Sequence, residues 1–573
     1  MLGGVAALLL VLAAWVAWQV WQVNRDLSAA VDHAEAVQAA VERGDTEAIQ
    51  DELDALRTSS ESAADGTSGI TWSALKALPV FGDDAEGVEV ASQVLDDLAT
   101  EGLDPLVTVS DRFEELLPQD GGVDLAVIQE LSGPVAEAET AFAAAERRLD
   151  EQDSSGFVGR LDRQFDRFGN QVSRAATALR AARTATEILP PMLGEGQKRT
   201  YLLAFQNNAE LRSGGGLPGA VSYLEASDGR LRMVRQVTGG SFGETPDPVL
   251  PLTGAEQELY DEILGTYFVD ATMTPDVPRA AALMRAHSER VYPRVDLDGV
   301  LLVDTVTMAY LLEATGPITV DGIELTGDNL VDELLHNAYL RLDGTQQDAF
   351  FATAAKTAFD RFTTGADNPE GMLKALARAA DERRVAMHLF DGALQERIAG
   401  TSLAGEFVTD PGVEEPQLAV TVNDTTGSKM SYFLRVEVDV TATSCVDGVQ
   451  TFAAKARLRS TAPPEAADLP AYVTGGGIYG TEPGHQLVTV RMYGPAGGAV
   501  SGFKLNSEPQ DLIEVDQDGR PVGMTYIDLA PGQTLDLSWQ MKSGEGQVGN
   551  AELTTTPTVA RTDNDISVKS ACR

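Results

Sequence analysis

The sequence predicts a multidomain protein: an N-terminal transmembrane helix (residues 1–24), an α-helical stalk or bundle (25–190), a central α/β domain (191–410) and a C-terminal immunoglobulin-like β-sandwich (411–573). Three observations predict it. An uncharged run opens the chain, and apolar residues at three- and four-residue steps follow it. The remainder changes to interleaved strand and helix patterns, then to alternating strands between turn clusters. At 573 residues the chain is too long for one core.

The opening run, Gly3 to Val23, reads GGVAALLLVLAAWVAWQVWQV. Without a charge, it is long enough to cross a hydrocarbon core of roughly 30 Å as a helix. Trp15, Trp18 and Trp21 crowd its C-terminal half, where an interfacial aromatic belt belongs. No small-residue cleavage site follows, so the expectation is an uncleaved signal anchor. That places the chain in the cell membrane as a single-pass protein, bulk extracytoplasmic, with the membrane as a partner through its first helix.

From Asn24 to about Ala185 the composition is Ala, Glu, Asp, Leu, Gln and Arg. Leu27, Ala30, Ala34, Val37 and Val41 form one amphipathic stripe. A second helix is expected through Leu56, a Ser/Thr/Gly-rich loop over Thr58–Thr71, and a last helix from Phe157 to Leu189, ended by Pro190-Pro191. Arg43-Gly44-Asp45 spells an adhesion tripeptide that chance explains better. From Arg199 the pattern changes. Tyr201–Phe205 is a short apolar run fit for a strand buried on both faces, with strands near Ala220–Glu225 and Leu231–Val237, then six helix patterns up to Arg384. After a Gly/Pro/Glu linker, Gly400 to Pro416, strands alternate with turns, without the Cys-Trp-Cys signature of immunoglobulin domains.

Composition excludes some classes. With 43% hydrophobic and 23% charged residues, wholesale disorder is not expected. The net charge of −44 makes nucleic acid and anionic headgroups poor partners. Cys445 and Cys572 form no CxxC pair, and none of the five histidines lies three or four residues from another, so no metal site and no cofactor are expected. As two lone cysteines in one extracytoplasmic domain, they are expected to form a disulfide.

The richest stretch is Tyr201–Leu224, YLLAFQNNAELRSGGGLPGAVSYL. Gln206, Asn207, Asn208, Glu210 and Arg212 stand just beyond a buried strand, where α/β folds place ligands. Gly214, Gly215 and Gly216 could present N–H groups to an anion, with Arg212 gripping a phosphate or carboxylate. On the other reading Glu210 simply pairs with Arg212 and the glycines serve turns. Gly239-Gly240-Ser241-Phe242-Gly243 matches the G-x-S-x-G nucleophile elbow, but Glu244-Thr245-Pro246 cannot start the required helix. Asp516/Asp518 and Asp563/Asp565 resemble half of a calcium loop without its bidentate Glu.

The segments FQNNAELRSGGGLPG, TMTPDVPRAA, VDLDGVLLVDTVTMAYLLEATGPI, LTGDNLVDELLHNAY and VNDTTGSKMSYFL closely resemble an actinobacterial membrane-anchored family known as domain of unknown function 4012. The family brings no established activity. A more distant likeness is to the LytR–CpsA–Psr proteins, which attach lipid-pyrophosphate-linked glycopolymers to the wall. Asp296–Val300 through Thr315–Ile318 looks like their second motif, and Leu203–Arg212 takes the place of the first, with an acidic residue replaced by Asn. Their arginine cluster is not recognisable beyond Arg212 and Arg341. The resemblance implies an envelope-assembly adaptor that binds wall polysaccharide or another envelope protein. The alternative is a phosphotransferase, using Arg212, Arg341 and nearby carboxylates to hold a divalent cation and pyrophosphate. The candidate ligand residues are therefore Asn207, Asn208, Glu210, Arg212 and Arg341.

Overall fold

The computed structural model describes residues 2–43, 46–79, 81–116, 118, 121–154, 156–364 and 368–572. It is a mixed helix-and-sheet protein in two compact units, residues 1–117 with 124–192, and residues 118–123 with 193–573.

The first unit is helical: Leu2–Arg43, Thr46–Thr67, Ile70–Lys76, Gly82–Asp97, Leu103–Asp111, Leu125–Asp150 and Gly159–Met192. The expected transmembrane helix is overturned: among the described residues, no helix is long and apolar enough to cross a membrane. The helix carrying the apolar run continues to Arg43, and the side chains of residues 3–14 lie outside those described. At the end of the run one side chain packs inward, whereas Trp15, Trp18 and Trp21 stay exposed. Val23, 2% exposed, packs with Trp72 and Ala85 in the core of the unit. Ala30 and Leu56 then meet Ala99, and Ala40 meets Ile49 and Leu53, so the predicted stripe does face other helices.

The Ser/Thr-rich loop is overturned too, because Thr46–Thr67 is one helix. The Ser60 hydroxyl donates to the Arg57 carbonyl (3.1 Å) and to Asp96 (3.2 Å), and the Thr67 hydroxyl donates to the Ala64 carbonyl (2.8 Å). Polar side chains that satisfy the helix's own carbonyls are tolerated within it. Gly44 and Asp45 of the adhesion tripeptide lie outside the described residues.

The second unit opens with a mixed sheet. Its strands are β1 (Arg199–Asn207), β2 (Leu217–Ser227), β3 (Arg230–Thr238), β4 (Gly299–Asp304) and, beyond a small hairpin of β5 (Ile318–Val320) and β6 (Ile323–Leu325), β7 (Val385–Leu389). The order is β3-β2-β1-β4-β7, with β1 and β4 parallel and the other neighbours antiparallel. Alternation along β1 sorts its residues between two cores. Leu202 and Ala204 face the cluster around Phe268, Leu283 and Met284, while Phe205 packs with Met308, Leu312, Phe350 and Ala354 on the other side.

Eleven further strands follow in two sheets. They are β8 (Gln417–Asp424), β9 (Leu434–Val446), β10 (Val449–Ser460), β11 (Gln486–Tyr493), β12 (Ala499–Leu505), β13 (Glu508–Pro509), β14 (Ile513–Gln517), β15 (Arg520–Leu529), β16 (Thr534–Lys542), β17 (Ala551–Thr555) and β18 (Asp565–Val568). Sheets β13-β12-β16-β10-β9 and β14-β15-β11-β8-β17-β18 enclose a core of Phe452, Val490, Trp539 and Met541. Cys445, near the end of β9, is disulfide-bonded to Cys572.

The segment 400–416 is packed chain and no free linker. Phe407 meets Tyr493 edge-on, with ring centroids 5.7 Å apart, and the Gly405 carbonyl accepts from the Val277 N–H. Tyr493, Val515, Val522 and Met524 of the sandwich share one apolar core with Leu202 and Phe268 of the α/β layer. The α/β layer and sandwich are therefore one folding unit.

Candidate functional site

The strand β1 carries its polar tail, Gln206 to Arg212, into the seam between sheet and sandwich. Arg212 is 6% exposed. Its Nε and Nη2 donate to Asp270 (3.0 and 2.7 Å), Nη2 also to Glu210 (3.1 Å), and Nη1 to the Leu211 carbonyl (3.0 Å). The other Glu210 oxygen accepts from the Lys429 ammonium. Beyond it, Asp424 accepts from the backbone N–H and hydroxyl groups of Thr426 and Ser428. All five charged groups are buried.

Burial alone would raise Glu210, but Lys429 and Arg212 outweigh it and hold its carboxyl below the usual range. At Asp270 burial wins over Arg212 and the group stays above its ordinary value. Burial, then the Glu210 charge, pushes Asp424 up to about 6. Breaking a buried pair of this kind leaves an uncompensated charge, at a cost of about 3–5 kcal/mol.

A second buried cluster lies beside the first. Asn208 donates to Asp304 (3.1 Å), to the Gly215 carbonyl (3.1 Å) and to the Pro557 carbonyl (3.2 Å). Asp304 caps the helix Thr305–Thr315 through the Thr307 N–H (2.7 Å). Arg384, 1% exposed, donates to Asp304 (2.8 Å), to Glu382, and to the carbonyls of Thr558 (2.9 Å) and Ala560. Thr558 and Ala560 follow β17 of the sandwich. Arg384 thus ties the two layers together.

The glycines belong to the same joint. Gly216 N–H donates to the Gln206 side chain (3.0 Å), Gly215 N–H to the Arg212 carbonyl (2.9 Å), and Gly214 N–H to the Thr272 carbonyl (3.5 Å). None of the three N–H groups is left to hold an anion. A Cβ on Gly216 would stand 2.4 Å from the Asn207 carbonyl carbon, so close backbone approach explains this glycine.

Several sequence segments meet here: Asn207–Gly216, Asp270–Met273, Asp304, Tyr339, Glu382–Arg384, Asn423–Lys429 and Pro557–Ala560. The Ser213 hydroxyl donates to the Met273 carbonyl (2.6 Å) and Asn423 (2.9 Å); Asn207 donates to the Tyr339 hydroxyl. Of the predicted residues, Asn208, Glu210 and Arg212 come together in the seam, and Asn207 stands at its edge. Arg341 does not join them; it is exposed and bound to Glu333 (2.8 Å). Sequence reasoning missed Asp270, Asp304, Arg384, Asp424 and Lys429. Asp304, Asp424 and Lys429 stand inside quoted motifs, whereas Asp270 and Arg384 carry no sequence signal.

Next to the seam is a cavity of about 240 Å³, below the ligand-pocket range of roughly 300–1,000 Å³. Small residues create it. Gly219 and Ala220 of β2 and Ala352 and Ala355 of the helix Gly344–Thr363 are among its lining residues, with Phe205, Leu217 and Phe351. Asn207, Tyr339, Tyr472 and Lys429 form a polar margin, with the ammonium 5.0 Å from the Tyr472 ring and 5.8 Å from the Tyr339 ring. Burial pushes the Tyr339 hydroxyl up to about 12. Among the described residues no arginine lines the cavity.

The G-x-S-x-G segment forms a single 3₁₀ turn, and the Ser241 hydroxyl donates to the Thr238 carbonyl (2.6 Å). His287 is buried against Phe268. No nucleophile–base pair is assembled there. Asp516 and Asp563 accept backbone N–H groups within their own turns. Among the described residues no group of three or more His, Cys, Asp or Glu could hold a metal ion.

No curated protein and no solved structure matches this chain. Residues 196–339, which include β1, Asp270, Asp304 and Tyr339, match the model of a family described as a protein of unknown function, DUF4012.

Proposed function

We propose that this chain is an extracytoplasmic binding module of the cell envelope, an adaptor that holds a wall polymer or a protein partner. One observation carries the reading: Arg212 and the glycines of the Tyr201–Leu224 segment spend their donors inside the protein, and the Leu211 carbonyl accepts the Asp424 N–H (2.9 Å) where sheet and sandwich meet. The joint leaves a two-layer platform whose accessible features are a cavity and its outer surfaces. The Cys445–Cys572 disulfide supports an oxidising location. A phosphotransferase would need arginines with free donors to grip pyrophosphate. Arg212 and Arg384 are committed internally, and the Lys429 at the cavity margin is already paired with Glu210.

The test uses the purified full chain with isolated wall polysaccharide in co-sedimentation, and with a lipid-pyrophosphate-linked glycan plus Mg²⁺ in a transfer assay. Retention of polymer without a covalent product is expected. A covalent product, lost in a folded Arg212→Ala variant, would sink the reading.

A further inference from the structure

We propose that the outer face of β3 and the turn after the helix Val277–Val291 form a docking surface for a sparsely charged acidic polysaccharide. The inference rests on the binding-module reading and names its partner.

The observation is an excess of unpaired positive charge in a chain with twice as many acids as bases: Asp and Glu number 87, Lys and Arg 43. β3 is an edge strand, and Arg232 and Arg235 on it are exposed. Arg290 closes the helix Val277–Val291, and Arg294 occupies the turn that the Val295 N–H closes on the Tyr292 carbonyl (2.9 Å). Both are exposed, and among the described residues none of the four has a carboxylate partner. The nearby acids are already engaged: Glu225 with Lys198, and Glu289 and Asp296 with Arg285. Glu244 stands just past the glycine loop as the exception.

Aromatic rings hold the arginines in one place. The Arg235 guanidinium lies 4.5 Å from the Tyr292 ring centre and 5.9 Å from that of Tyr223. Tyr292 meets Tyr223 edge-on at 5.5 Å and Phe242 at 6.1 Å, and Arg290 donates to the Phe242 carbonyl. Stacking leaves the edge of the Arg235 guanidinium and its N–H donors free for an anion. Gly240 and Ser241, exposed beside Phe242, form a low shelf with little side chain to block an approaching sugar.

Charge density selects the ligand. Four arginines within a strongly acidic molecule cannot offset a polymer with one charge per roughly 1.7 Å, as in duplex DNA. A polysaccharide with one carboxylate or phosphate per repeat presents its charges singly. The distant acids are screened beyond about 8 Å at physiological salt, so the local excess decides.

The experiment measures binding of hyaluronate, with neutral dextran and polyphosphate as comparators, to the full chain at low and high salt. Hyaluronate should bind, dextran and polyphosphate should not, and salt should weaken the interaction. The double variant Arg235→Glu/Arg294→Glu should lose at least tenfold in affinity with an unchanged melting temperature. Arg235→Gln/Arg294→Gln, milder for folding, should lose several-fold. Equal binding of dextran, no binding of hyaluronate, or full affinity in both variants would overturn the proposal. If wall polysaccharide still co-sediments with the Glu variant, this surface falls and the binding-module reading stands. If the unaltered chain retains no polymer, this surface falls together with the polymer half of the binding-module reading, and only the protein partner is left to it.

Discussion

Arg212 and Arg384 on one side, and Arg235, Arg290 and Arg294 on the other, belong to the same compact unit yet live in opposite surroundings. The first two are 6% and 1% exposed; Arg212 faces Glu210 and Asp270 of the α/β layer, and Arg384 faces carboxylates of that layer and backbone carbonyls of the sandwich. The other three are exposed and face no carboxylate among the described residues. In the interior a lone charge is intolerable, so the chain supplies a partner for each guanidinium. At the surface water does that, and an unpaired arginine remains available to a ligand. A polar, glycine-rich motif beside a strand therefore marks a joint when its donors are consumed internally.

The largest effect should come from Arg384→Ala, which takes the guanidinium from buried Asp304, leaves Glu382 to Arg378, and releases the Thr558 and Ala560 carbonyls. Chemical denaturation should show a loss of about 3–5 kcal/mol, and domain separation before global unfolding would sharpen the picture of one joint. Reducing the disulfide, or Cys445→Ser with Cys572→Ser, should cost up to about 4–5 kcal/mol by the chain-entropy model, since the bridge spans 127 residues. Unfolding midpoints with and without reductant check this, and no change would contradict it.

A subtler effect concerns pH. Asp424 sits at about 6 in the folded chain, above its ordinary value of 3.8. The native state therefore binds the proton more tightly than the unfolded state does, and this group's contribution is full below the ordinary value. It is lost as pH rises through about 6. Between pH 4 and 7 the wild type should lose on the order of 2–3 kcal/mol relative to Asp424→Asn, as read by urea titration at each pH. Parallel pH profiles would break the assignment of Asp424 to a sealed interior. The smallest effect is expected at Arg341→Ala, whose exposed pair with Glu333 is worth at most about 1 kcal/mol.

Much of the fold was legible because it rests on local periodicity. The apolar run at Tyr201–Phe205 is β1, and one of the six helix patterns before Arg384 is the helix Gly344–Thr363. β4 and β7 were missed because they pair across long sequence separations and sit among helix patterns. The transmembrane reading failed on Val23, where hydropathy alone cannot tell a residue facing lipid from one facing Trp72. For the candidate site, sequence located the right residues but not their burial. Nothing local announces that Asp270, 58 residues on, will meet Arg212. Lys429 was in plain view within the VNDTTGSKMSYFL segment, and its partner Glu210 could be named only once the chain after β8 was seen to meet the chain after β1.

The measurement that tests the account most directly is the unfolding free energy of Arg212→Ala, taken beside that of Arg341→Ala in the same denaturant series. Burial of Arg212 between Asp270 and Glu210 predicts a loss of about 3–5 kcal/mol for the first variant and at most about 1 kcal/mol for the second. Equal, small losses would contradict it, because they would mean that Arg212 is free to hold a ligand and that the seam is a binding site after all.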